Sequence, residues 1–75
     1  IHAVRKQYFE AIDAFTAAIS INPYHFYCHY RRAQAHYHLK DYPEALGDCD
    51  NALKLEPDSA EASKLKEIIL KKLKM

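Results

Sequence analysis

Histidine and cysteine are the side chains of this chain best suited to metal binding or catalysis. The sequence contains five His and two Cys among 75 residues. His25 and His29 are four residues apart, a spacing that places both on one face of a helix and that zinc can use, but no third ligand is evident beside them. His36 and His38 would point about 200° apart on a helix and cannot share an ion. We therefore expect no metal site, with these histidines on a surface or in a groove.

Motifs for enzymatic chemistry are missing from the sequence. A single Gly leaves no glycine-rich phosphate-binding loop, and no G-x-S-x-G pattern occurs. The only groups near Cys28 that could act as an acid or a base are histidines, and formation of a helix explains the positions of these histidines equally well. The sequence thus predicts a non-enzymatic protein without a cofactor. Cys28 and Cys49 fall at helical positions that face or border a core, which favours reduced structural thiols over a disulfide or a reactive thiol.

Charge is balanced overall but uneven along the chain. Eleven Lys+Arg against ten Asp+Glu give a net charge of +1, which makes no global electrostatic case for nucleic acid or membrane binding. The third predicted helix is acidic on the side expected to be exposed, and the last is rich in lysine. The acidic residues of the third helix are Asp41, Glu44, Asp48 and Asp50. The lysines of the last helix are Lys64, Lys66, Lys71, Lys72 and Lys74. We expect solvated faces, although the lysines could instead form a basic rim that attracts an acidic peptide or phosphate groups.

Four helices are predicted to position these side chains. Apolar residues recur at spacings of three and four over residues 9–21, about 25–38, about 42–55, and from about residue 58 nearly to Met75. The apolar stripes are Ile12, Phe15, Ala18 and Ile19; Tyr30, Ala33 and Tyr37; Ala45, Leu46, Cys49, Ala52 and Leu53; and Ala62, Leu65, Ile69 and Leu73, with Ile68 alongside. Because no alternating apolar run occurs, we predict an all-α fold.

The predicted helix boundaries carry breaking and capping signals. Asn22-Pro23 ends the first helix, because proline cannot continue the backbone hydrogen-bond ladder. Residues 39–41 form the turn between the second and third helices. Capping-box spacings begin the third and fourth helices; they are Asp41 with Glu44 and Asp58 with Glu61.

The chain also repeats itself at an interval of 34 residues, which is characteristic of a repeat protein. The identical pairs are His2 and His36, Lys6 and Lys40, Tyr8 and Tyr42, Glu10 and Glu44, Ala11 and Ala45, Ala18 and Ala52, and Pro23 and Pro57. Apolar character is kept where the residues differ, as in Ile12 with Leu46 and Ile19 with Leu53. The four alanines of these pairs are expected where helices approach most closely.

This period and the residues that carry it resemble the tetratricopeptide repeat, a helix-turn-helix unit of 34 residues. The best-matching stretch is Tyr42-Pro43-Glu44-Ala45-Leu46, followed by Cys49, Ala52-Leu53, Leu55 and Pro57. The resemblance implies antiparallel helix-turn-helix repeats that form a short right-handed α-solenoid. It divides residues 1–75 into the C-terminal part of one repeat (1–23), a complete repeat (24–57) and a capping helix (58–75). Ile1 then corresponds to the tenth repeat position, so we expect a fragment of a larger protein that opens partway through a helix.

The resemblance also implies where a partner would bind. In this family the first helix of each repeat lines the concave surface, and repeat positions two, five, six, nine and thirteen tend to face a bound peptide. In the complete repeat these are Tyr27, Tyr30, Arg31, Gln34 and His38. The implied function is an intracellular protein-protein interaction module, expected in the cytoplasm, with a scaffold or adaptor role.

Three alternatives stay open at this point. The segment 30–33 resembles the third repeat of carboxylate-clamp domains, which bind acidic C-terminal chaperone tails; Arg31 fits the clamp Arg, whereas Tyr27 stands where that family has Lys. A second alternative is self-association through an exposed N-terminal edge with Ile1, Val4 and Tyr8. The third is contact of the Lys-rich last helix with nucleic acid or an anionic membrane, partners that we do not expect for the domain as a whole.

Overall fold

Four helices account for nearly all of the chain. The structure, a computed structural model, describes residues 2–74, with side chains from residue 5 onward. The helices are α1 (His2–Ile21), α2 (Phe26–His38), α3 (Tyr42–Leu55) and α4 (Ala60–Leu73), and residues 2–74 contain no strand. The predicted all-α class is confirmed, and the limits of α2 and α3 agree with the predicted limits to within one residue.

Helix α1 is longer than predicted. The apolar stripe predicted a helix over residues 9–21, and the repeat register makes residues 5–7 the counterpart of the turn at residues 39–41. Instead, α1 is continuous from His2 to Ile21. Residues 5–7 read Arg-Lys-Gln, which are good helix formers. Gln7 and Phe9 replace the Asp41 and Pro43 that begin α3, so no local signal breaks the helix.

The turn between α2 and α3 has the geometry of a Schellman motif. Lys40 adopts a left-handed φ of 65°, and its N–H donates to the Tyr37 carbonyl at 3.0 Å. The N–H of Asp41 reaches back to the His36 carbonyl at 2.8 Å. These two bonds satisfy carbonyls at the end of α2 and reverse the chain, so the predicted turn at residues 39–41 is confirmed.

Both predicted capping boxes are wrong. Helix α4 is capped by Ser59, whose Oγ accepts from the Ala62 N–H at 3.3 Å, so Asp58 lies one residue too early for this role. Asp41 occupies the N-cap of α3, but its carboxylate caps no backbone N–H and lies 3.6 Å from His36 Nδ1. Pro43 does occupy the first turn of α3, where its missing N–H costs little.

The core lies between α2, α3 and α4. Each helix packs on the next, and α2 also contacts α4. The buried cluster comprises Ala33 from α2, Ala45 and Cys49 from α3, and Leu65 and Ile69 from α4. Tyr30, Tyr37, Tyr42 and Leu46 pack around it.

The expectation about the four repeat alanines is confirmed for the two on α3 and not for the two on α1. Ala45 and Ala52 on α3 are fully buried, whereas Ala11 and Ala18 on α1 are only half-buried. The reason is that α3 packs against both α2 and α4, while α1 packs against α2 alone within the described residues. Leu73, predicted in the seam of α4, is 43% exposed near the end of that helix.

Candidate interaction surface

Helix α2 carries all five side chains that were predicted from the sequence to contact a peptide. Tyr27, Arg31 and His38 are exposed, and Tyr30 and Gln34 are half-buried. Spacings of three and four place them along one side of the helix. Tyr27 and Arg31 form an aromatic and cationic end of this surface. Arg31 also lies at the start of a groove.

At the aromatic end, Arg31 lies against the ring of Tyr27. Its Cζ is 5.6 Å from the ring centroid, a cation–π geometry, and Tyr27 is itself 52% exposed. No carboxylate of the described residues forms an ion pair with Arg31. Its guanidinium donors are therefore available to a ligand, and the Tyr27 ring holds them in place.

Tyr30 is held more firmly than Tyr27. Its ring stacks on Phe26 at 5.9 Å, and its hydroxyl accepts a hydrogen bond from Gln34 Nε2 at 3.1 Å. Burial, and secondarily the nearby carboxylate of Glu61, raise the pKa of Tyr30. Tyr30 thus packs on the core, and its hydrogen bond with Gln34 is partly buried.

A groove of about 320 Å³ runs between α1 and α2, and we call it the α1–α2 groove. Its lining residues are Tyr8, Ala11, Phe15, Arg31, Gln34, Ala35 and His38. The imidazole of His38 stacks on the Tyr8 ring, with the two ring centroids 5.0 Å apart. Three of the five predicted site residues therefore line this groove, whereas Tyr27 and Tyr30 do not. Sequence reasoning missed the contribution of α1, although the 34-residue register contains the signal for it.

Tyr27 instead borders a second cavity, of about 550 Å³, at the turn between α1 and α2. Its other lining residues are Asn22, Tyr24, His25, Phe26, Leu55 and Glu56. Tyr24 is 79% exposed here. Aromatic surface therefore continues from Tyr27 onto the turn.

A partly buried charged cluster links α2 to both neighbouring helices. Arg32 donates from Nη2 and Nε to the two carboxylate oxygens of Asp48, at 2.6 and 3.0 Å, and from Nη1 to Thr16 Oγ1 at 3.2 Å. The hydrogen bond with Asp48 raises the pKa of Arg32 despite its partial burial. His36 Nε2 lies 3.7 Å from the same carboxylate. Asp48 was predicted on an exposed acidic face, and that prediction is wrong because Arg32 draws the carboxylate into the interface between α2 and α3.

The prediction that the histidines lie on a surface or in a groove also fails at His29, which is buried. Its Nε2 is 2.8 Å from the Pro23 carbonyl, so it ties α2 to the preceding turn. No group of three or more His, Cys, Asp or Glu side chains in residues 5–74 is arranged to hold a metal ion. None of the helices described here is long and apolar enough to span a membrane.

The remaining charged and sulfur-containing groups have local roles. Asp50 pairs with Lys66 at 2.8 Å and links α3 to α4. Cys28 and Cys49 are free thiols. Burial raises the pKa of Cys49 to about 12, so this thiol stays protonated and unreactive at neutral pH, as a structural cysteine does.

Comparison with known protein families agrees with this architecture. The family model for the Fis1 C-terminal tetratricopeptide repeat matches residues 27–75, which is nearly two thirds of the chain. The match begins one residue into α2 and includes α3 and α4, the three helices that build the core. No solved structure matched the chain significantly. On the strength of the family match, this chain belongs to the Fis1 C-terminal tetratricopeptide repeat family.

Proposed function

We propose that this domain binds a peptide segment of a partner protein along α2, in a scaffold or adaptor role. Membership in a tetratricopeptide repeat family supports protein binding in general, since repeat domains expose extended surfaces suited to partners. The observation that carries the finer proposal is Arg31, an exposed cation without a carboxylate partner among the described residues, resting on the exposed ring of Tyr27.

Each side chain of this surface has a chemical role in the proposal. The planar guanidinium of Arg31 grips a carboxylate with two parallel hydrogen bonds. Tyr27 supplies a large contact area with little loss of side-chain entropy. The Tyr30 hydroxyl and Gln34 form a hydrogen-bonded pair that contacts peptide backbone, and His38 contributes a ring at the far end of the surface.

An acidic C-terminal tail is the second candidate ligand, and the unpaired Arg31 favours it for the same reason. The clamp families that resemble residues 30–33 place Lys where this chain has Tyr27. The ring of Tyr27 adds contact area but no charge, so a single cation has to select the carboxylate.

The test is a fluorescence-anisotropy titration with an acidic peptide of the chaperone-tail type, made with a free and with an amidated C-terminus. We expect Arg31→Ala and Tyr27→Ala to weaken binding about tenfold or more, since such anchors contribute most of the binding energy of an interface. Lys54→Ala removes the same charge from an exposed site on α3 and serves as the control. Equal affinity of the native and Arg31→Ala proteins would refute the proposed surface. Loss of binding on amidation would identify the tail carboxylate as the ligand.

Self-association is a further candidate, favoured by the exposed aromatic surface of α1. Phe9 is 54% exposed, and Tyr8 and Phe15 are half-buried. Of the edge predicted from sequence, Ile1 and the side chain of Val4 lie outside the described residues. Sedimentation equilibrium decides the matter: a strict monomer at high micromolar concentration excludes self-association.

We also propose that the interaction takes place in the cytoplasm. Both cysteines are free thiols, and reducing compartments keep thiols in that state. Fluorescence microscopy of the tagged full-length protein tests this placement, and a secreted or lumenal distribution would contradict it.

A further inference from the structure

Tyr24 is an exposed aromatic residue on a turn that is held in place by hydrogen bonds. Its side chain is 79% exposed. The Tyr24 N–H donates to Asn22 Oδ1 at 3.2 Å, and the His25 N–H donates to the Asn22 carbonyl at 3.3 Å. On α2, His29 Nε2 is 2.8 Å from the Pro23 carbonyl. The Tyr24 ring is thus presented to solvent from a preorganised backbone, which lowers the cost of using it as a binding anchor.

Tyr24 lies between two cavities. One is the cavity of about 550 Å³ that Tyr27 and Glu56 border. A third cavity, of about 360 Å³, adjoins it at the end of α3. The lining residues of the third cavity are Pro23, Tyr24, His29, Asn51, Lys54 and Leu55. Because Tyr24 and Leu55 line both cavities, they form a ridge between them. We call this ridge and its two cavities the turn site.

We propose that the turn site binds a proline-rich segment of a partner protein in the polyproline II conformation, with a basic residue of that segment at Glu56. Proline-rich segments dock into aromatic-lined grooves and lose little conformational entropy, because their extended helix is already formed in the free state. This site goes beyond the peptide-binding surface proposed along α2, with which it shares only Tyr27.

The shape of the turn site fits the period of this conformation. A polyproline II helix has three residues per turn and rises about 3.1 Å per residue, so prolines three positions apart lie on one side, about 9 Å from each other. Two groups that contact opposite faces of one aromatic ring are about 7–8 Å apart. Such a pair of prolines can therefore enter the two cavities across the Tyr24 ridge. One turn of an α-helix advances only about 5.4 Å, which is too little to straddle the ring.

Hydrogen-bonding chemistry favours the same ligand. A polyproline II backbone has no internal hydrogen bonds, so its carbonyls need donors, whereas proline has no N–H that needs an acceptor. The turn site offers donors in the hydroxyls of Tyr24 and Tyr27 and in the side-chain amide of Asn51. These groups match a ligand that mainly accepts hydrogen bonds.

Glu56 and Lys54 set the charge that the ligand has to carry. Both side chains are exposed, and neither forms an ion pair with another of the described residues. Glu56 lines the larger cavity and Lys54 the smaller one. A basic residue at the first and an acidic residue at the second therefore complement the site. The basic residue distinguishes this ligand from the acidic peptide proposed for Arg31.

The test is a fluorescence-anisotropy titration of the full chain with a labelled oligoproline peptide that carries Arg at one end and Glu at the other. One control peptide has alternate prolines replaced by Ala, which removes rings and weakens the polyproline II conformation. A second control peptide has Glu in place of the Arg. Circular dichroism verifies the conformation of each free peptide.

We expect saturable binding of the first peptide at micromolar concentration. Tyr24→Ala removes the ridge and should weaken this binding at least about tenfold, whereas Tyr24→Phe keeps the ring and should stay within about threefold. Glu56→Gln should abolish the preference for the Arg peptide over its Glu control. Glu67→Gln, which removes an exposed carboxylate from α4, is the matched control and should retain that preference. Thermal melts verify that each variant remains folded.

Failure of the turn site and failure of the surface proposed along α2 give different results. Arg31→Ala should weaken binding of the acidic peptide and leave binding of the oligoproline peptide intact. Tyr24→Ala should have the opposite effect. Titration of both peptides against both variants therefore tests the two proposals separately.

Three results would overturn the inference. The first is an oligoproline peptide that does not saturate the chain. The second is equal affinity of the native protein and Tyr24→Ala. The third is equal affinity for the oligoproline peptide and its Ala-substituted control, because the site would then bind an extended chain without regard to proline.

Discussion

At the scale of single residues, the two cysteines differ in how far they are removed from water. Cys49 is fully buried with a pKa raised to about 12, whereas Cys28 is half-buried. At pH 8 only about one Cys49 thiol in ten thousand is ionised, and the thiolate is the reactive form. We expect a thiol reagent to modify Cys28 in the native protein and Cys49 only on unfolding. Mass spectrometry after timed labelling measures this, and rapid native labelling of Cys49 would contradict the buried position.

The raised pKa of Cys49 also makes stability depend on pH. Its folded pKa lies above the unfolded value of 9.0, so its contribution to stability is complete below pH 9 and is lost as the pH rises toward 12. Urea unfolding of the native protein and Cys49→Ala at several pH values should show a steeper alkaline loss in the native protein. Parallel pH curves would exclude this thiol as the cause.

The pair of Arg32 and Asp48 is the other residue-scale feature with a measurable consequence. Asp48→Asn leaves Arg32 in a mostly buried position without its counter-charge, and we expect a loss of about 1–3 kcal/mol in the free energy of unfolding. Asp50→Asn is the control, because the Asp50–Lys66 pair is roughly 40% exposed and such pairs contribute little. Equal effects of the two substitutions in urea denaturation would refute the distinction.

At the scale of helices, α1 and α3 carry the same residues in different surroundings. Ala45→Leu should overpack the buried contact of α3 with α2 and cost roughly 1–3 kcal/mol. Ala11→Leu places the same side chain at the repeat-related position, but it extends into the α1–α2 groove, so we expect a change below about 0.5 kcal/mol. Chemical denaturation of both variants measures the difference. A large loss in Ala11→Leu would mean that the groove is already filled.

The difference between α1 and α3 also explains the failure to predict the limits of α1. Local signals, Asp41 and Pro43, act together with packing of α2 on α3 to turn the chain at residues 39–41. Residues 5–7 lack these local signals, so helix propensity extends α1 through them. The wrong capping boxes have a similar origin, because sequence spacing does not reveal whether a carboxylate turns toward a backbone N–H or, like that of Asp41, toward His36.

At the scale of the whole molecule, α4 is predicted to hold the core together. Ile69 is the largest fully buried side chain, and it lies in the cluster that joins α2, α3 and α4. Ile69→Ala should therefore cost roughly 2–5 kcal/mol, a large share of the stability of a domain of this size. Ile68→Ala, at a site that is 42% exposed, should cost much less. Circular dichroism in a urea titration tests both, and near-native stability of Ile69→Ala would show that α4 is dispensable.

Sequence alone determined the all-α class, the limits of α2 and α3, the repeat and its family. These properties can be recognised from spacings along the sequence, namely apolar residues every three or four positions, proline at helix boundaries and a 34-residue period. Each of these spacings reflects the geometry of a single helix or turn. The same local geometry allowed the five α2 residues predicted to contact a peptide to be placed on one side of a helix.

Only the tertiary structure decided which of those residues act together. The pairing of Arg32 with Asp48, the burial of His29, and the union of Arg31, Gln34 and His38 with Tyr8, Ala11 and Phe15 all join residues that are distant in the chain or on different helices. Helical periodicity shows which residues share a face, but it does not show what that face packs against. The physical reason is that burial depends on the neighbouring helix. Among the described residues, α3 packs against α2 and α4 while α1 packs against α2, and the same repeat positions are buried in α3 and half-buried beside a groove in α1.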